Sequence, residues 1–275
     1  MPVSVEEHTA TIPVVLLGST GSIGTQAREV IESHRGRFDV LGVSAGGASI
    51  TELAAQIVAL NPAYVGVARD VREELLAAVE SMGGTCPEVF VGDNASVEVV
   101  CASVERAAQL YPSATPVVLN GITGGVGLSS TLAALTCGAR LALANKESLV
   151  VGGALPGQIV PVDSEHSAIA QALASGVHER GLTSPVVSGR SEVADLVLTA
   201  SGGPFRGRRR EELRGVRAEQ ALAHPTWQMG PVVTINSSTL INKGLELIEA
   251  HLLFDVAPEH IVATVHPQSI VHSMV

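Results

Sequence analysis

Lysine is scarce in this sequence. Of 17 basic residues only two are lysines, and the others are arginines. Both lysines follow an asparagine and have a glutamate nearby: Lys146 precedes Glu147, and Lys243 lies three residues before Glu246. Lysine is a compact point charge that reaches a phosphate or hydroxyl in a tight pocket, whereas arginine presents a broad planar fork. The repeated Asn-Lys pair therefore predicts two functional lysines, with coincidence as the alternative.

Aromatic residues and net positive charge are also lacking. Aromatics make up 3% of the chain while hydrophobic residues make up 46%, so aliphatic side chains must build the core. A net charge of −10 argues against nucleic acid or an anionic membrane as the main partner. Six arginines in 206–217 are interpreted as a solvated charged segment. No apolar run reaches membrane-spanning length, and residues 1–10 lack an apolar signal core, so we expect a cytoplasmic protein.

Cysteine is the third scarce residue. Cys86, Cys101 and Cys137 form no Cys-x-x-Cys pair, and an odd number of cysteines suits a reducing compartment. We expect all three to be small buried hydrophobic residues.

The first part of the chain alternates short apolar runs with helical patterns, which predicts an α/β fold with a mostly parallel sheet. The predicted strands are 12–17, 40–43, 64–67, 89–91, 116–119 and 141–144, and the predicted helices are 23–34, 50–60, 71–82 and 126–137.

The pattern changes after residue 151, where Gly-Gly and Pro-Gly pairs indicate a boundary. We predict one domain over 1–153 and another, of α+β type, over 154–275. The second is predicted to contain strands at 158–162, 196–199, 261–265 and 270–275, helices ending near 173 and spanning 238–253, an irregular segment at 175–191 and a loop at 224–230.

A glycine motif joins the first predicted strand to the first helix. Gly18, Gly21 and Gly24 are spaced G-x-x-G-x-x-G, and unpaired N–H groups at such a helix start attract a pyrophosphate. NAD-binding sheets place an acidic residue about 20 residues later to hold the ribose. Residues 44–49 contain no acid, which favours NADP over NAD, although they contain no arginine to hold a 2′-phosphate either. A plain tight turn is the alternative.

A cluster of acidic residues predicts a metal site. In an extended segment Asp163 and Glu165 point to the same side, and two adjacent carboxylates need a shared proton or a cation. Oxygen ligands favour Mg²⁺ or Mn²⁺ over Zn²⁺, and His166 alone gives poor zinc geometry. A surface acidic cap is the alternative.

Anion-binding patterns occur in the same half of the chain. Asn242 and Glu246 share a helix face, and the hydroxyl-rich segment 236–239 is interpreted as a helix start suited to a phosphate. An ordinary helix cap with a Lys–Glu pair is the alternative. The turn at 201–203 also suits an anion.

Together these segments resemble the 1-deoxy-D-xylulose 5-phosphate reductoisomerase family over almost the whole chain. The resemblance is carried by residues 18–24, 144–148, 161–166, 201–205, 224–230, 242–246 and 266–269, in that order. It implies a homodimeric enzyme of the non-mevalonate isoprenoid pathway with a Rossmann-like first domain. Such an enzyme rearranges a sugar phosphate and reduces the product with NADPH, aided by Mg²⁺ or Mn²⁺, with Co²⁺ as a further metal.

The resemblance also implies residue roles. Metal ligands are Asp163, Glu165 and Glu246, which together with Lys146 form the catalytic set. Substrate-binding residues are Lys146, Ser164, Glu165, Ser201, His224, Trp227, Ser237, Asn242, Lys243 and Glu246, with Met229 beside Trp227 on a mobile flap. Nucleotide-binding residues are Thr20, Gly21, Ser22, Ile23, Gly46, Gly47, Asn145, Glu147 and Gly230.

The sequence departs from the family pattern at several points. Gly47 and Ala48 stand where some members have Lys-Asn, and Asn236 stands where some have Asp. Family members continue into a C-terminal helical domain, so we expect this chain to lack that domain, to bind NADPH and to have weak or no turnover. Two alternatives remain open. One is another NADP-dependent reductase with a nucleophilic cysteine, for which Cys137 is a poor candidate. The other is a non-catalytic NADP-binding protein.

Overall fold

The computed structural model describes residues 11–34, 36–153, 159–186, 188–223, 225 and 230–275. The chain divides into two compact units. The first comprises Met1–Ile122 and Ser129–Leu141, and the second comprises Thr123–Leu128 and Ala142–Val275. The division predicted after residue 153 stays a prediction. No helix in these ranges is both long enough and apolar enough to span a bilayer.

A parallel β-sheet is the centre of the first unit. Its strands are β1 (Ile12–Leu17), β2 (Phe38–Ala45), β3 (Tyr64–Val67), β4 (Glu88–Val91) and β5 (Val117–Asn120). β1 pairs in parallel with β2 and β5, and β3 pairs in parallel with β2 and β4. In the sheet order, β5 is followed by β6 (Arg140–Leu143) and then by β7 (Ile159–Pro161). The division between the two units falls within β6. This seven-stranded sheet confirms the predicted α/β class.

Helices follow the strands of this sheet. They are α1 (Ser22–Ser33), α2 (Ile50–Leu60), α3 (Arg72–Ser81), α4 (Ala95–Leu110) and α5 (Leu128–Thr136), the last preceded by a 3₁₀ turn at Gly125–Gly127. α2 has the predicted bounds because its buried residues Leu53 and Ile57 recur at helical spacing. Asn61 then adopts a left-handed conformation (φ 49°) and Pro62 prevents the helix from continuing.

The longest of these helices, α4, was absent from the sequence prediction. Valines in its first two turns lower helix propensity, because a β-branched side chain is restricted against the preceding turn. Packing against the sheet outweighs this preference. A Cβ at Gly42 of β2 would lie 2.4 Å from Ser103 Oγ, and one at Gly66 of β3 would lie 3.0 Å from the Ala95 carbonyl oxygen. The two strand glycines therefore allow α4 to lie directly on the sheet.

The second unit contains shorter elements. They are α6 (Lys146–Gly152), α7 (Ser164–Leu173), β8 (His178–Arg180), β9 (Ser188–Ser191), β10 (Leu196–Ala200), α8 (Ala218–Leu222), α9 (Pro231–Ser238), α10 (Ile241–Phe254), β11 (Ile261–Val265) and β12 (Ser273–Met274), with 3₁₀ turns at Arg210–Leu213 and Pro258–His260. β10 lies between parallel β11 and antiparallel β12, and β8 pairs with β9.

Three predictions in this unit were wrong. The segment 175–191 contains the β8–β9 hairpin, and the strand predicted over 270–275 is only the two-residue β12. The helix predicted over 238–253 is divided, because Leu240 adopts a left-handed conformation (φ 62°) between α9 and α10. Residues 236–238 therefore end α9 instead of starting a helix, and Ser237 Oγ donates a hydrogen bond to the Val233 carbonyl oxygen at 2.8 Å.

The cysteines are not buried as predicted. Cys86 and Cys101 are exposed and Cys137 is half-buried. Cys101 lies on the outer face of α4, whose buried face is formed by Val99, Val100 and Ser103, and Cys137 directly follows α5. The two thiols are adjacent, with 3.7 Å between their sulfur atoms.

Candidate functional site

The second unit brings together predicted site residues from three helices. Lys146 is the first residue of α6, Asp163 caps the N-terminus of α7, and Glu165 lies in the first turn of α7. The other members, Asn242, Lys243 and Glu246, lie on α10. These six side chains form the carboxylate–lysine cluster.

Lys146 is at the centre of this cluster. Its ammonium donates hydrogen bonds to Asp163 Oδ2 and Asn242 Oδ1, both at 2.8 Å, and to Glu246 Oε1 at 3.3 Å. Only 8% of Lys146 is exposed, so these contacts replace nearly all of its hydration. Burial alone would lower the pKa of Lys146, but the Asp163 and Glu246 carboxylates raise it above its usual value. The lysine is therefore a fixed positive charge.

Lys243 occupies a similar position on the other side of Glu246. Its Nζ lies 2.8 Å from Glu165 Oε1 and also contacts the Glu246 carboxylate. The two lysines, predicted to be functional from their rarity, thus share Glu246 as a partner. The role expected for Lys243 at a phosphate stays a prediction.

Carboxyl groups outnumber ammonium groups in and around the cluster. Asp163, Glu165, Glu246 and the neighbouring Glu249 offer four carboxyl groups against two ammonium groups. Burial, followed by the Asp163 and Glu165 charges, raises the pKa of Glu246 to about 7 despite its contacts with both lysines. Burial alone would also raise the pKa of Asp163, but the Lys146 ammonium holds it below its usual value. An added cation would offset both the burial of the Glu246 carboxylate and its repulsion by Asp163 and Glu165, and so favour the ionised form of Glu246.

The donor set suits a hard divalent ion. One carboxylate oxygen from each of Asp163, Glu165 and Glu246 lies within 4.8 Å of the others. Oxygen-only ligands are preferred by Mg²⁺ and Mn²⁺. The prediction that Asp163 and Glu165 lie close together agrees with this geometry, but its reason was wrong. The two residues begin a helix instead of an extended segment, and the cap at Asp163 places both carboxylates at the helix start.

Two further residues contact this cluster. His166 is fully buried, and its Nε2–H donates to the Glu246 carbonyl oxygen at 2.9 Å. Its Nδ1 lies 3.6 Å from Glu249 Oε2 and 3.9 Å from Asp163 Oδ2. Burial, more than any other cause, lowers the pKa of His166, and burial also raises the pKa of Glu249 well above its usual value. Sequence reasoning missed Glu249, although its three-residue spacing from Glu246 on one helix was a usable signal.

The predicted phosphate-binding residues are only partly described. Gly203, two residues after Ser201 in the sequence, lies against the end of α9, because a Cβ at Gly203 (φ 68°) would be 2.7 Å from the Ser237 carbonyl oxygen. Ser164 is exposed, and its Oγ donates to Glu165 Oε2 at 2.7 Å. His224, Trp227 and Met229 lie outside the described residues.

The predicted nucleotide loop lies in the first unit, between β1 and α1. Gly18 has φ 73°, and a Cβ there would lie 2.7 Å from the Gly121 carbonyl oxygen. A Cβ at Gly24 would lie 2.4 Å from the Ser19 carbonyl oxygen, so the tight turn requires glycine at both positions. Gly21 caps α1 without a side-chain hydrogen bond, which leaves the N–H groups of Ser22 and Ile23 for an anion, with Thr20 beside them.

The other predicted nucleotide residues lie at turns in both units. In the first unit Gly46 is exposed and Gly47 has φ 80° directly after β2. In the second unit Asn145 caps α6, accepting a hydrogen bond from the Ser148 N–H at 2.7 Å, and Glu147 lies in the first turn of that helix. Gly230 caps α9. Within the first unit, the glycine loop and its free N–H groups suit a pyrophosphate, and the nucleotide roles predicted for Asn145, Glu147 and Gly230 stay predictions.

The alternative of a cysteine-dependent reductase gains no support from Cys137. Burial raises the pKa of its thiol, and the Cys101 thiol raises it further. A nucleophilic cysteine needs surroundings that lower its pKa.

Two family models match the chain. The model described as 1-deoxy-D-xylulose 5-phosphate reductoisomerase matches residues 14–153. The model described as the C-terminal domain of the same enzyme matches residues 159–254. Together they include both the glycine loop and the carboxylate–lysine cluster.

Relatives and solved structures give the same result. Enzymes of that name from Beutenbergia cavernae and Paenarthrobacter aurescens align with 95% of this chain and are 58% and 53% identical to it over that length. The chain spans 62% and 64% of their lengths. A crystal structure of DOX-P reductoisomerase in complex with NADPH, fosmidomycin and magnesium is 31% identical, with a TM-score of 0.78, over 95% of this chain and 63% of its own. The Zymomonas mobilis enzyme in complex with NADPH is 33% identical, with a TM-score of 0.76, over 96% of this chain and 64% of its own.

Proposed function

The chain belongs to the 1-deoxy-D-xylulose 5-phosphate reductoisomerase family, and from this membership we propose that it converts 1-deoxy-D-xylulose 5-phosphate to 2-C-methyl-D-erythritol 4-phosphate. The reaction rearranges the carbon skeleton and reduces the resulting aldehyde with NADPH, in the non-mevalonate isoprenoid pathway. The observation that carries this proposal is the buried excess of carboxylates around Lys146 and Lys243.

A divalent metal is part of the proposal. Asp163, Glu165 and Glu246 would hold Mg²⁺ or Mn²⁺, since their oxygens lie within 4.8 Å of one another. When bound, the ion would act as a Lewis acid on the oxygens of the reacting carbons. His166 would orient this set through its hydrogen bond to the Glu246 carbonyl oxygen.

The remaining residues of the second unit would bind and orient the substrate. Lys146 would place a fixed positive charge beside the substrate's oxygens, and Ser164 would offer a hydroxyl on the exposed side. At the phosphate end we assign Ser201, His224, Ser237, Asn242 and Lys243. We also assign Trp227 and Met229 to substrate binding.

NADPH would bind through the glycine loop of the first unit. The free N–H groups at the start of α1 would receive the pyrophosphate, and the Gly46-Gly47 turn would lie near the adenosine ribose. Asn145, Glu147 and Gly230 would contribute from the second unit. We propose a nucleotide-binding domain over 1–153 and a catalytic domain over 154–275, in a cytoplasmic homodimer. Light scattering would test the dimer, which is supported by the exposed valines Val262 and Val265 on β11.

Substituting Glu246 tests the metal site. Glu246→Gln keeps the shape of the side chain and removes one anionic ligand. We expect Mn²⁺ affinity, measured by calorimetry, to fall by about tenfold or more, with NADPH affinity unchanged. Substrate-dependent NADPH oxidation should fall in parallel.

Glu259→Gln is the matched control, because Glu259 is exposed on the 3₁₀ turn before β11. Equal Mn²⁺ affinity in wild type and Glu246→Gln would remove Glu246 from the site. Metal and NADPH binding without substrate-dependent oxidation would limit this chain to the two binding functions.

A further inference from the structure

The turn after β2 lacks a side chain that would select NADPH over NADH, and the structure supplies one from the next strand. We propose that Arg69, which follows β3, binds the 2′-phosphate of NADPH. This inference rests on the proposed function, because it assumes that a dinucleotide occupies the glycine loop.

The position of Arg69 follows from the sheet. β2 and β3 are parallel neighbours, so their carboxyl ends meet at one edge, and the Ala68 N–H donates to the Ala45 carbonyl oxygen at 3.3 Å. A Cβ at Gly47 would lie 3.5 Å from Arg69 Cβ and 3.8 Å from its backbone nitrogen. Arg69 therefore lies directly against the turn that follows β2, the segment that holds the adenosine ribose in dinucleotide-binding sheets.

The Arg69 side chain is available for a ligand. The residue is exposed, and its guanidinium forms no hydrogen bond or ion pair with the described residues. The nearby Arg72 differs, because its Nη2 donates to the Val89 carbonyl oxygen at 2.8 Å. A guanidinium is planar and offers paired donors that match a phosphate.

The start of α2 provides a second attraction for an anion at the same turn. Ser49 caps this helix without a side-chain hydrogen bond, so N–H groups of its first turn have no partner on the cap side chain. The adjacent acidic residues Asp70, Glu73 and Glu74 would repel a phosphate. A positive charge at Arg69 would offset this repulsion, and removing it should affect NADPH far more than NADH.

The test compares two dinucleotides on the same protein. NADPH and NADH are titrated by nicotinamide fluorescence against wild type, Arg69→Ala, Arg69→Lys and the control Arg106→Ala, which removes an exposed arginine from α4. We expect Arg69→Ala to weaken NADPH binding by about tenfold or more and to leave NADH binding within about twofold. Arg69→Lys should be intermediate, and Arg106→Ala should match wild type. The 2′-phosphorylated fragment 2′,5′-ADP should compete with NADPH in wild type and lose affinity in Arg69→Ala.

The outcomes separate this inference from the proposed function. If wild type prefers NADPH and Arg69→Ala keeps the same NADPH-to-NADH ratio, Arg69 does not bind the 2′-phosphate, while the proposed function stands. If wild type binds neither dinucleotide, the proposed function itself fails. Thermal unfolding monitored by circular dichroism would show whether each variant is folded.

Discussion

At the scale of single residues, charge balance in a buried space determines what the site binds. Glu246 is 1% exposed and contacts both lysines of the chain, yet its pKa is raised to about 7. Its own burial and the Asp163 and Glu165 charges outweigh the two ammonium groups. A buried cluster with this excess of carboxyl groups should bind protons or a divalent cation in competition.

The pKa of Glu246 predicts how stability depends on pH without metal. The folded chain binds this proton up to about pH 7, whereas the reference pKa for an unfolded glutamate is 4.5. The stabilisation that this proton gives is complete below pH 4.5 and is lost as the pH rises through about 7. When a chelator keeps the protein free of metal, the contribution of Glu246 to the free energy of unfolding should therefore fall by a few kcal/mol between about pH 5 and about pH 8.

Urea unfolding across that pH range measures the effect. Glu246→Gln stays neutral throughout, so its stability should fall less with rising pH than that of wild type. Parallel curves for the two proteins would show that Glu246 does not titrate in this range.

Sequence reasoning found most of the cluster because it relied on residue types. The two lysines, Asp163, Glu165 and Glu246 could be selected from rarity, spacing and family resemblance. The close approach of His166 could not, because it depends on how α7 packs against α10 in space, whereas Glu249 was missed although it lies three residues after Glu246 on the same helix. The left-handed residue Leu240, which separates α9 from α10, is not signalled by glycine or asparagine, and the predicted helix boundary was wrong there.

At the scale of elements, burial pattern predicted well where it was unambiguous. β1 and α2 have the predicted bounds, since one is a continuous buried run and the other has helical periodicity ending before Pro62. The helix α4 was missed because its valines favour a strand locally, while its contact with Gly42 and Gly66 is decided by the tertiary structure.

The contact between Cys101 of α4 and Cys137 after α5 predicts a disulfide under oxidising conditions. The sulfur atoms are 3.7 Å apart and need to approach to about 2.05 Å. A disulfide oxidant such as oxidised glutathione would react first at exposed Cys101. That reaction leaves a mixed disulfide between Cys101 and glutathione and releases one glutathione thiol. The Cys137 thiolate would then attack the mixed disulfide at Cys101 and release the second glutathione thiol. Two protein thiols are thereby oxidised and one glutathione disulfide is reduced. Closing the intervening segment should stabilise the folded chain by about 4 kcal/mol.

Mass spectrometry of unreduced peptides would detect this bond, and thermal unfolding would measure the stabilisation. Cys101→Ser and Cys137→Ser should each abolish both effects, whereas Cys86→Ser should abolish neither. Stable glutathione adducts on Cys101 without the internal disulfide would contradict the prediction.

At the scale of the whole molecule, the two candidate binding functions are supported by separate structural features. The glycine loop and Arg69 belong to the first unit, and the carboxylate–lysine cluster belongs to the second. The chain spans 62–64% of the length of the two relatives compared, so binding to each unit is a more direct measurement than turnover.

This separation predicts independent effects of the two ligands on thermal stability. A ligand that binds only the folded state stabilises it by about 2.7 kcal/mol at a concentration 100 times its Kd. NADPH should therefore raise the unfolding temperature of both wild type and Glu246→Gln, because the substitution lies outside the glycine loop. Mn²⁺ should raise it in wild type and have much less effect in Glu246→Gln. Arg69→Ala should show the opposite pattern, with a reduced response to NADPH and a full response to Mn²⁺.

Differential scanning calorimetry of the three proteins with each ligand measures all six responses. Loss of both responses in either variant would mean that the substitution disturbs the fold, and loss of neither would mean that the assigned residues do not bind these ligands.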